Sequence, residues 1–220
     1  MIDFKKIRCI VYDLDGTVIN SMDLHEEGWR IAAEAFFIPI NKKILRDLAG
    51  RPINEIAAQL LKTKDEERIN AFVALNHEYV LKHTDRIHLF PSFQETFLEI
   101  SKKHPVWVCT SSTKDFVDKI FQNLDGLHSL RNNYVYREMY AKGKPNAEPL
   151  LLTFKKAGNF SPENCIYIGD AYTDYLAATA AKCAFIYFSP DPTNEDSRIP
   201  KTITRIRNHK ELLTLLDGVS

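Results

Sequence analysis

The residues best suited to chemistry stand at the ends of apolar runs. Asp13 and Asp15 flank Leu14 directly after the run that begins at Ile7, and Gly16 and Thr17 follow at once. A second acidic pair, Asp170 and Asp174 in GDAYTD, follows the run Cys165 to Ile168. A D-x-D-G stretch can simply cap a turn, with glycine supplying the positive φ. The second pair changes that reading. If the two ends converge, four carboxylates meet without an equal number of cations and repel one another unless something positive enters. All-oxygen ligation is the preference of magnesium, which usually completes its shell with waters, one or two carboxylates and a substrate phosphate. The pattern therefore points to phosphoryl chemistry.

Two further clusters suit that chemistry. Thr110-Ser111-Ser112-Thr113 follows the run Val106 to Cys109, bringing hydroxyls and the amides of a helix start to another strand end, where an anionic oxygen can be held. By itself such a stretch can equally be an N-cap. Lys144 stands in Gly143-Lys144-Pro145 ahead of a helical pattern. By itself it can equally be a solvated turn, whereas a fixed ammonium beside the carboxylates would offset charge on a nucleophile and on a phosphate.

The elements that must position these residues are legible. Ile7 to Asp13, Val106 to Cys109, Cys165 to Ile168 and Phe185 to Phe188 are nearly continuous apolar runs, as expected of parallel strands covered on both faces. Helical patterns lie between them. Capping boxes at Ser92 and Ser112 predict helices through about Lys103 and Leu124; Glu148 to Ala157 is helical and is expected to stop at Gly158 in a left-handed cap; Ser161-Pro162 opens a short turn; and Thr173 to Ala181 is helical, with Asp174 on its first turn. Strand alternating with helix predicts an α/β, doubly wound, Rossmann-like parallel sheet, whose ligands bind at the carboxyl ends of the strands.

One connection is too long. The stretch from Asp13 to Val106 far exceeds the roughly 10–20 residues of an ordinary crossover. Asp23 to Phe37, Lys42 to Leu48, Asn54 to Leu61 and Asp65 to Lys82 carry helical periodicity within it. An inserted α-helical cap subdomain is expected over 21–86, joined through two passages able to act as a hinge, with the core formed by 1–20 and 87–220. The polar segment Ser189 to Pro200 is expected to be a mobile loop.

Composition narrows the partners. The 220 residues carry 29 Lys+Arg against 29 Asp+Glu, which disfavours a basic nucleic-acid binder or an acidic tail. A hydrophobic fraction of 45% with 11% aromatics supports an ordinary core and excludes disorder as the main state. No apolar run approaches the ~20 residues of a membrane span, and the first residues lack signal-peptide order, so a cytoplasmic protein without membrane partner is expected. Cys9, Cys109, Cys165 and Cys183 are far apart with no C-x-x-C pair. They are expected to be reduced core thiols, with Cys109, beside the hydroxyl cluster, the one placed nearest to chemistry.

Taken together, DLDGT at 13–17, Thr110, GKP at 143–145 and GDAYTD at 169–174 occur in the order found in the haloacid dehalogenase superfamily, which the chain resembles over nearly its whole length. The helical insertion resembles that of the phosphoglycolate phosphatase and β-phosphoglucomutase branch, and His25, Trp29 and Leu48-Ala49-Gly50-Arg51 are similar to that branch's patterns. The resemblance implies that Asp13 is a nucleophile forming an aspartyl-phosphate and Asp15 a general acid and base. The latter role calls for a pKa raised by neighbouring carboxylates. It further implies magnesium held by the side chains of Asp13 and Asp170 and the backbone carbonyl of Asp15, with Asp174 ordering a metal-bound water or Lys144. Thr110 and the Ser111 amide, with Lys144, would hold phosphate oxygens, while Gly16 permits the turn and Thr17 braces the loop.

Some positions depart from the family. Ala147 replaces the second proline of K-P-x-P, Lys182 replaces a frequent glycine, and Lys142 competes with Lys144 for the catalytic lysine, although the proline after Lys144 favours the latter. Gly169-Asp170 and Thr17 favour hydrolysis over mutase chemistry. The expected activity is magnesium-dependent hydrolysis of a small phosphorylated metabolite, a sugar phosphate or phosphoglycolate-like compound. The alternatives are a sugar phosphomutase of the β-phosphoglucomutase type and a catalytically silent binding or regulatory protein. His25, Gly50 and Arg51 are candidate substrate contacts, each also readable as an ordinary helix-face, turn or solvated residue, and Trp29 reads as cap core. Whether the chain is a monomer or a dimer does not follow from the sequence.

Overall fold

The protein is described as a computed structural model covering residues 2–217. Strand β1 (Cys9–Tyr12) forms from side chains that are all apolar and all buried, because the sheet is covered on both faces. The chain then makes β2 (Ile19–Asn20), four helices α1 (Met22–Ala35), α2 (Lys42–Leu48), α3 (Ile53–Leu61) and α4 (Glu66–Lys82), and β3 (His88–Leu89). From there it alternates: α5 (Phe93–Ser101), β4 (Val106–Cys109), α6 (Lys114–Asn123), β5 (Tyr134–Val135), α7 (Glu148–Gly158), β6 (Cys165–Gly169), α8 (Tyr172–Ala181), β7 (Ala184–Phe188), β8 (Thr204–Ile206) and α9 (Lys210–Asp217).

Six strands form one parallel sheet in the order β5-β4-β1-β6-β7-β8. After β1 the chain runs out to β4 and β5, then crosses back to β6 on the other side. The carboxyl ends of β4, β1 and β6 therefore lie side by side where the winding reverses, which is where open α/β sheets bind ligands. Alternate side chains separate into two cores. Ile10, Tyr12, Val108, Ile168 and Phe188 pack with residues of α5, α6 and α9, such as Phe97, Phe116 and Leu212. Cys9, Val11, Cys109 and Tyr167 pack with Leu150 and Phe154 of α7 and Ala177 of α8. Helices on both sides of the sheet give the doubly wound arrangement.

The helices α1 to α4 enclose a third apolar cluster. Phe72, fully buried, stacks on Trp29 at 5.6 Å and meets Phe36 edge-on at 5.1 Å. The passages on either side of these helices, β2 and β3, pair as an antiparallel ribbon in which Ile19 opposes Leu89. Capping starts two of the helices: Asn41 accepts from the Ile44 amide at 2.9 Å, and Asp65 from that of Arg68 at 3.2 Å. No helix among the described residues is long and apolar enough to cross a membrane.

Several local expectations are corrected. Ser92 does not close a capping box: it lies at φ 66° and makes no side-chain cap bond, although the helix starts where expected. Thr113 rather than Ser112 precedes α6, and the Ser112 hydroxyl is spent on Asp15 instead. Asn159, not Gly158, is the left-handed cap of α7, an exchange that asparagine tolerates. The 189–200 segment is tied at several points. The Ser189 amide bonds the Ile206 carbonyl, the Asp196 amide donates to the Tyr187 hydroxyl, and Ile199 is buried. All four cysteines are free, and burial pushes the Cys109 thiol up to about 12, which keeps it protonated and inert.

Candidate active site

Asp13 continues β1 beyond its last paired residue, and its amide donates to the Ile168 carbonyl of β6. The turn after it is made by Gly16 at φ 77°. A Cβ there would come within 2.3 Å of Asp170 Oδ2, so glycine is needed both for the backbone conformation and for the approach of that carboxylate. Thr17, fully buried, donates its hydroxyl to Asp170 Oδ1 at 2.8 Å. Asp174, on the first turn of α8, accepts from the Ala171 amide at 3.0 Å through Oδ2. One oxygen each of Asp13, Asp170 and Asp174 lies within 4.8 Å of the others.

Lys144 enters this cluster from the loop before α7. Its ammonium, 1% exposed, donates to Asp13 Oδ1 at 2.8 Å, Asp174 Oδ1 at 2.7 Å and the Tyr167 hydroxyl at 3.0 Å. These three bonds use all its hydrogens. Burial alone would lower its pKa, but Asp13 and Asp174 outweigh it and hold the ammonium well above its ordinary value. The carboxylates remain in excess. Burial, with repulsion from Asp174 and Asp170, raises Asp13 well above its ordinary value despite Lys144. Burial and then Asp174 push Asp170 up to about 7.

Asp15 differs from expectation. Its side chain leaves the carboxylate cluster and turns towards α1 and the β4 end, where Oδ1 accepts from the Ser21 hydroxyl at 2.6 Å and lies 3.0 Å from His25 Nε2. Oδ2 accepts from the Ser112 hydroxyl at 2.6 Å. Burial would raise this carboxyl, yet His25 and the two hydroxyls outweigh it and lower it below its ordinary value. The anticipated rise through neighbouring carboxylates is thus reversed, because the neighbours are hydrogen-bond donors. Three side-chain carboxylates converge, not four.

Thr110 is buried, its hydroxyl accepting from the Ser112 amide at 3.0 Å, and Ser111 donates to the Gly50 carbonyl at 2.8 Å. The 49–51 loop also meets the β6 end, where Thr173 donates to the Ala49 carbonyl at 2.8 Å. Asp13, Asp15, Thr110, Ser111, Lys144 and Asp170 line one end of a cavity of about 330 Å³ whose roof comes from α1 to α4. His25, Gly50 and Arg51 line it too, as do Lys42 and Arg46, which the sequence reading did not single out. Arg51 lies 4.0 Å from Glu55, and its buried Nε has no partner. Trp29 both packs on Phe72 and touches the cavity. Lys142 takes no part. Its amide bonds Glu148 on the surface. Tyr167, Ser21 and Ser112 were missed as partners of charged groups; Ser112 alone had a signal, as part of the hydroxyl cluster after β4.

Gly50 offers a direct test of the loop contact. It lies at φ 77°, and a Cβ would come within 2.1 Å of Thr173 Oγ1. Gly50→Ala is expected to destabilise the protein by roughly 1–3 kcal/mol in urea unfolding, from backbone strain and displacement of the loop. An unchanged midpoint would show that the loop does not rest on α8.

A family model described as haloacid dehalogenase-like hydrolase matches residues 10–188. The chain belongs to that family. The chain is 28% identical over 187 residues to a putative pyrophosphatase PpaX of Clostridium perfringens, covering 82% of this chain and 85% of that one. It is 25% identical over 201 residues to a phosphoglycolate phosphatase of Yersinia pestis, covering 84% and 82%. The fold is that of a hydrolase from Pseudomonas syringae, with a TM-score of 0.84 and 21% identity over 97% of this chain and 99% of that chain.

Proposed function

We propose that this hydrolase is a magnesium-dependent phosphatase acting on a small phosphorylated metabolite through an aspartyl-phosphate at Asp13. The observation that carries the reading is Lys144, which is buried, lines the cavity and is bonded to both Asp13 and Asp174. An ammonium there keeps Asp13 positioned and offsets its repulsion for an incoming phosphate. The names of the relatives, a pyrophosphatase and a phosphoglycolate phosphatase, support phosphate chemistry.

Magnesium fits the residues present. Three carboxylates with oxygens within 4.8 Å face a single ammonium, so hard oxygen donors outnumber the positive charge, and burial together with repulsion among the carboxylates raises Asp13 and Asp170. Asp13, Asp170 and the Asp15 backbone carbonyl would hold it, and it would neutralise charge on the transferring phosphoryl group. Asp174, engaged by Lys144 and the Ala171 amide, braces the others.

The chain's own residues divide the remaining work. Asp13 attacks phosphorus as the bond to the leaving oxygen breaks, and that oxygen takes a proton from Asp15; in the second half Asp15 removes a proton from the water that attacks phosphorus, the bond to Asp13 breaks, and phosphate leaves with the Asp13 carboxylate restored. A carboxyl lowered by its donors is a weak proton reservoir, and His25, with Nε2 3.0 Å from Oδ1, is placed to relay a proton to it and to take one back. Thr110 and the Ser111 amide hold the phosphoryl oxygens. The helices of 21–86 act as a lid that excludes water. Lys42, Arg46 and Arg51 line the cavity beside Asp23, Glu26 and Asp196, with Lys42 3.3 Å from Glu26, a mixed set of donors and acceptors that favours a polar substrate bearing several hydroxyls.

Phosphate release should be measured across sugar phosphates, phosphoglycolate, pyrophosphate and nucleotides, with and without magnesium. Turnover to inorganic phosphate only with magnesium is expected. Isomerised phosphosugar with little free phosphate would point to a mutase, and no product with any compound to a silent protein.

The carboxylates also set a pH dependence. In metal-free protein Asp170 has a folded pKa of about 7 against an ordinary 3.8. Between these values the folded state keeps a proton that the unfolded chain has lost, so this group's contribution to stability is present below 3.8 and is lost as pH rises through about 7. Magnesium requires the deprotonated carboxylate. Its gain in Tm is therefore expected to be larger at about pH 8 than at about pH 5.5, with Asp170→Asn abolishing the difference. Equal gains at both would contradict the ligand assignment.

A further inference from the structure

His209 does not line the cavity. It is fully buried between β8 and α9, where Phe188 stacks on it at 4.5 Å and Phe93 and Tyr12 meet it edge-on at 5.2 Å and 5.7 Å. Its Nε2 lies 3.0 Å from the backbone carbonyl of Thr17. A carbonyl only accepts, so Nε2 carries the proton. Burial pushes the imidazole down to about 4, so near neutral pH the ring is uncharged and Nδ1 is bare. Nδ1 is buried without a partner, and so is the neighbouring Tyr12 hydroxyl.

For stability alone this is a poor choice of residue. An apolar side chain of similar volume would fill the aromatic box and leave no orphaned nitrogen. What the imidazole adds is an N–H of the right reach for Thr17. The loop it holds is the one that bears on Asp170: the Thr17 hydroxyl donates to Asp170 Oδ1 at 2.8 Å, and Gly16 makes room for Oδ2.

We propose that His209 is a positioning residue, which fixes the Thr17 backbone from the far side of the sheet so that the Thr17 hydroxyl orients Asp170 for a divalent cation. The inference rests on the reading of Asp170 as a metal ligand. Groups that orient a ligand from behind typically govern 10–100-fold in metal affinity, and His209 does so through one intervening residue.

The test is Mn²⁺ binding to the substrate-free protein, followed by electron paramagnetic resonance. His209→Met, which refills the box, and His209→Asn, whose amide is too short to reach Thr17, are expected to bind Mn²⁺ roughly tenfold more weakly. His209→Gln, whose amide nitrogen reaches the position of Nε2, is expected to bind as the wild type does. Thr17→Val should show a loss like that of His209→Met, and the double variant should be no weaker than the weaker single, since both cut one chain of contacts. At saturating metal the KM for p-nitrophenyl phosphate should not move. Wild-type affinity in both His209→Met and His209→Asn, or a Gln variant as weak as they are, would overturn the proposal; if the Met variant does not fold, the Asn and Gln pair decides. Asp170→Asn separates the two levels: unchanged Mn²⁺ binding there would overturn the ligand reading itself, whereas its loss alongside unimpaired His209 variants would overturn the positioning role alone.

Discussion

Asp13→Asn is expected to lower turnover by about 10⁴-fold or more while leaving the fold at least as stable as the wild type. The loss follows from chemistry: an amide has the shape of the carboxylate but cannot act as the nucleophile, and removal of a covalent-catalysis residue typically costs at least this factor. The stability follows from electrostatics. Burial and the nearby Asp174 and Asp170 already hold Asp13 well above its ordinary pKa, so a neutral side chain relieves repulsion among buried carboxylates. Lys144 keeps its bonds to Asp174 and to the Tyr167 hydroxyl. The check is kcat beside a urea unfolding curve. Undiminished turnover would remove Asp13 as the nucleophile, and a large loss of stability would mean that the carboxylate serves the fold.

Lys144→Met should behave in the opposite way, losing both activity and stability. The ammonium is the charge partner of two buried carboxylates. Breaking a buried ion pair from one side costs about 3–5 kcal/mol, because the remaining charges are left uncompensated. Turnover should fall by roughly 10²–10³-fold, the effect of losing a group that stabilises charge in the transition state. Magnesium should restore part of the stability, since a cation among Asp13, Asp170 and Asp174 replaces some of the missing charge. A variant as stable as the wild type would show that Asp13 and Asp174 do not depend on this lysine. The two substitutions thus separate a residue held at an energetic cost for chemistry from one that the fold also needs.

The legible parts of the sequence share one physical cause. Central parallel strands are covered on both faces, so IRCIVYD, VWVC, CIYI and FIYF read as nearly continuous apolar runs, and each contains a strand. The edge strands Tyr134–Val135 and Thr204–Ile206 and the ribbon of Ile19–Asn20 with His88–Leu89 are two or three residues long and partly exposed. Such segments carry no periodicity to read. Caps failed where side-chain type was taken to fix backbone conformation: Ser92 is left-handed, and Asn159 took the role expected of Gly158.

At the site, the residue types and strand ends were readable and the side-chain directions were not. Asp13 and Asp15 are two positions apart, yet one points to Lys144 and the other to His25, Ser21 and Ser112. Because they diverge, the rise expected of Asp15 became a lowering. Tyr167 was hidden because a strand tyrosine between isoleucines reads as core, and it is core except for its hydroxyl. His209 was hidden because its partner is a backbone atom far away in sequence.

The most direct measurement is to identify the phosphorylated residue. Protein mixed with magnesium and p-nitrophenyl phosphate would be quenched in acid within a single turnover, digested and mapped by mass spectrometry. One phosphoryl group is expected on the peptide containing Asp13, located on Asp13, labile in alkali and absent from Asp13→Asn. Phosphate released at full rate with Asp13 unmodified at every quench time, or the label found on another residue, would contradict the role of Asp13 as the nucleophile.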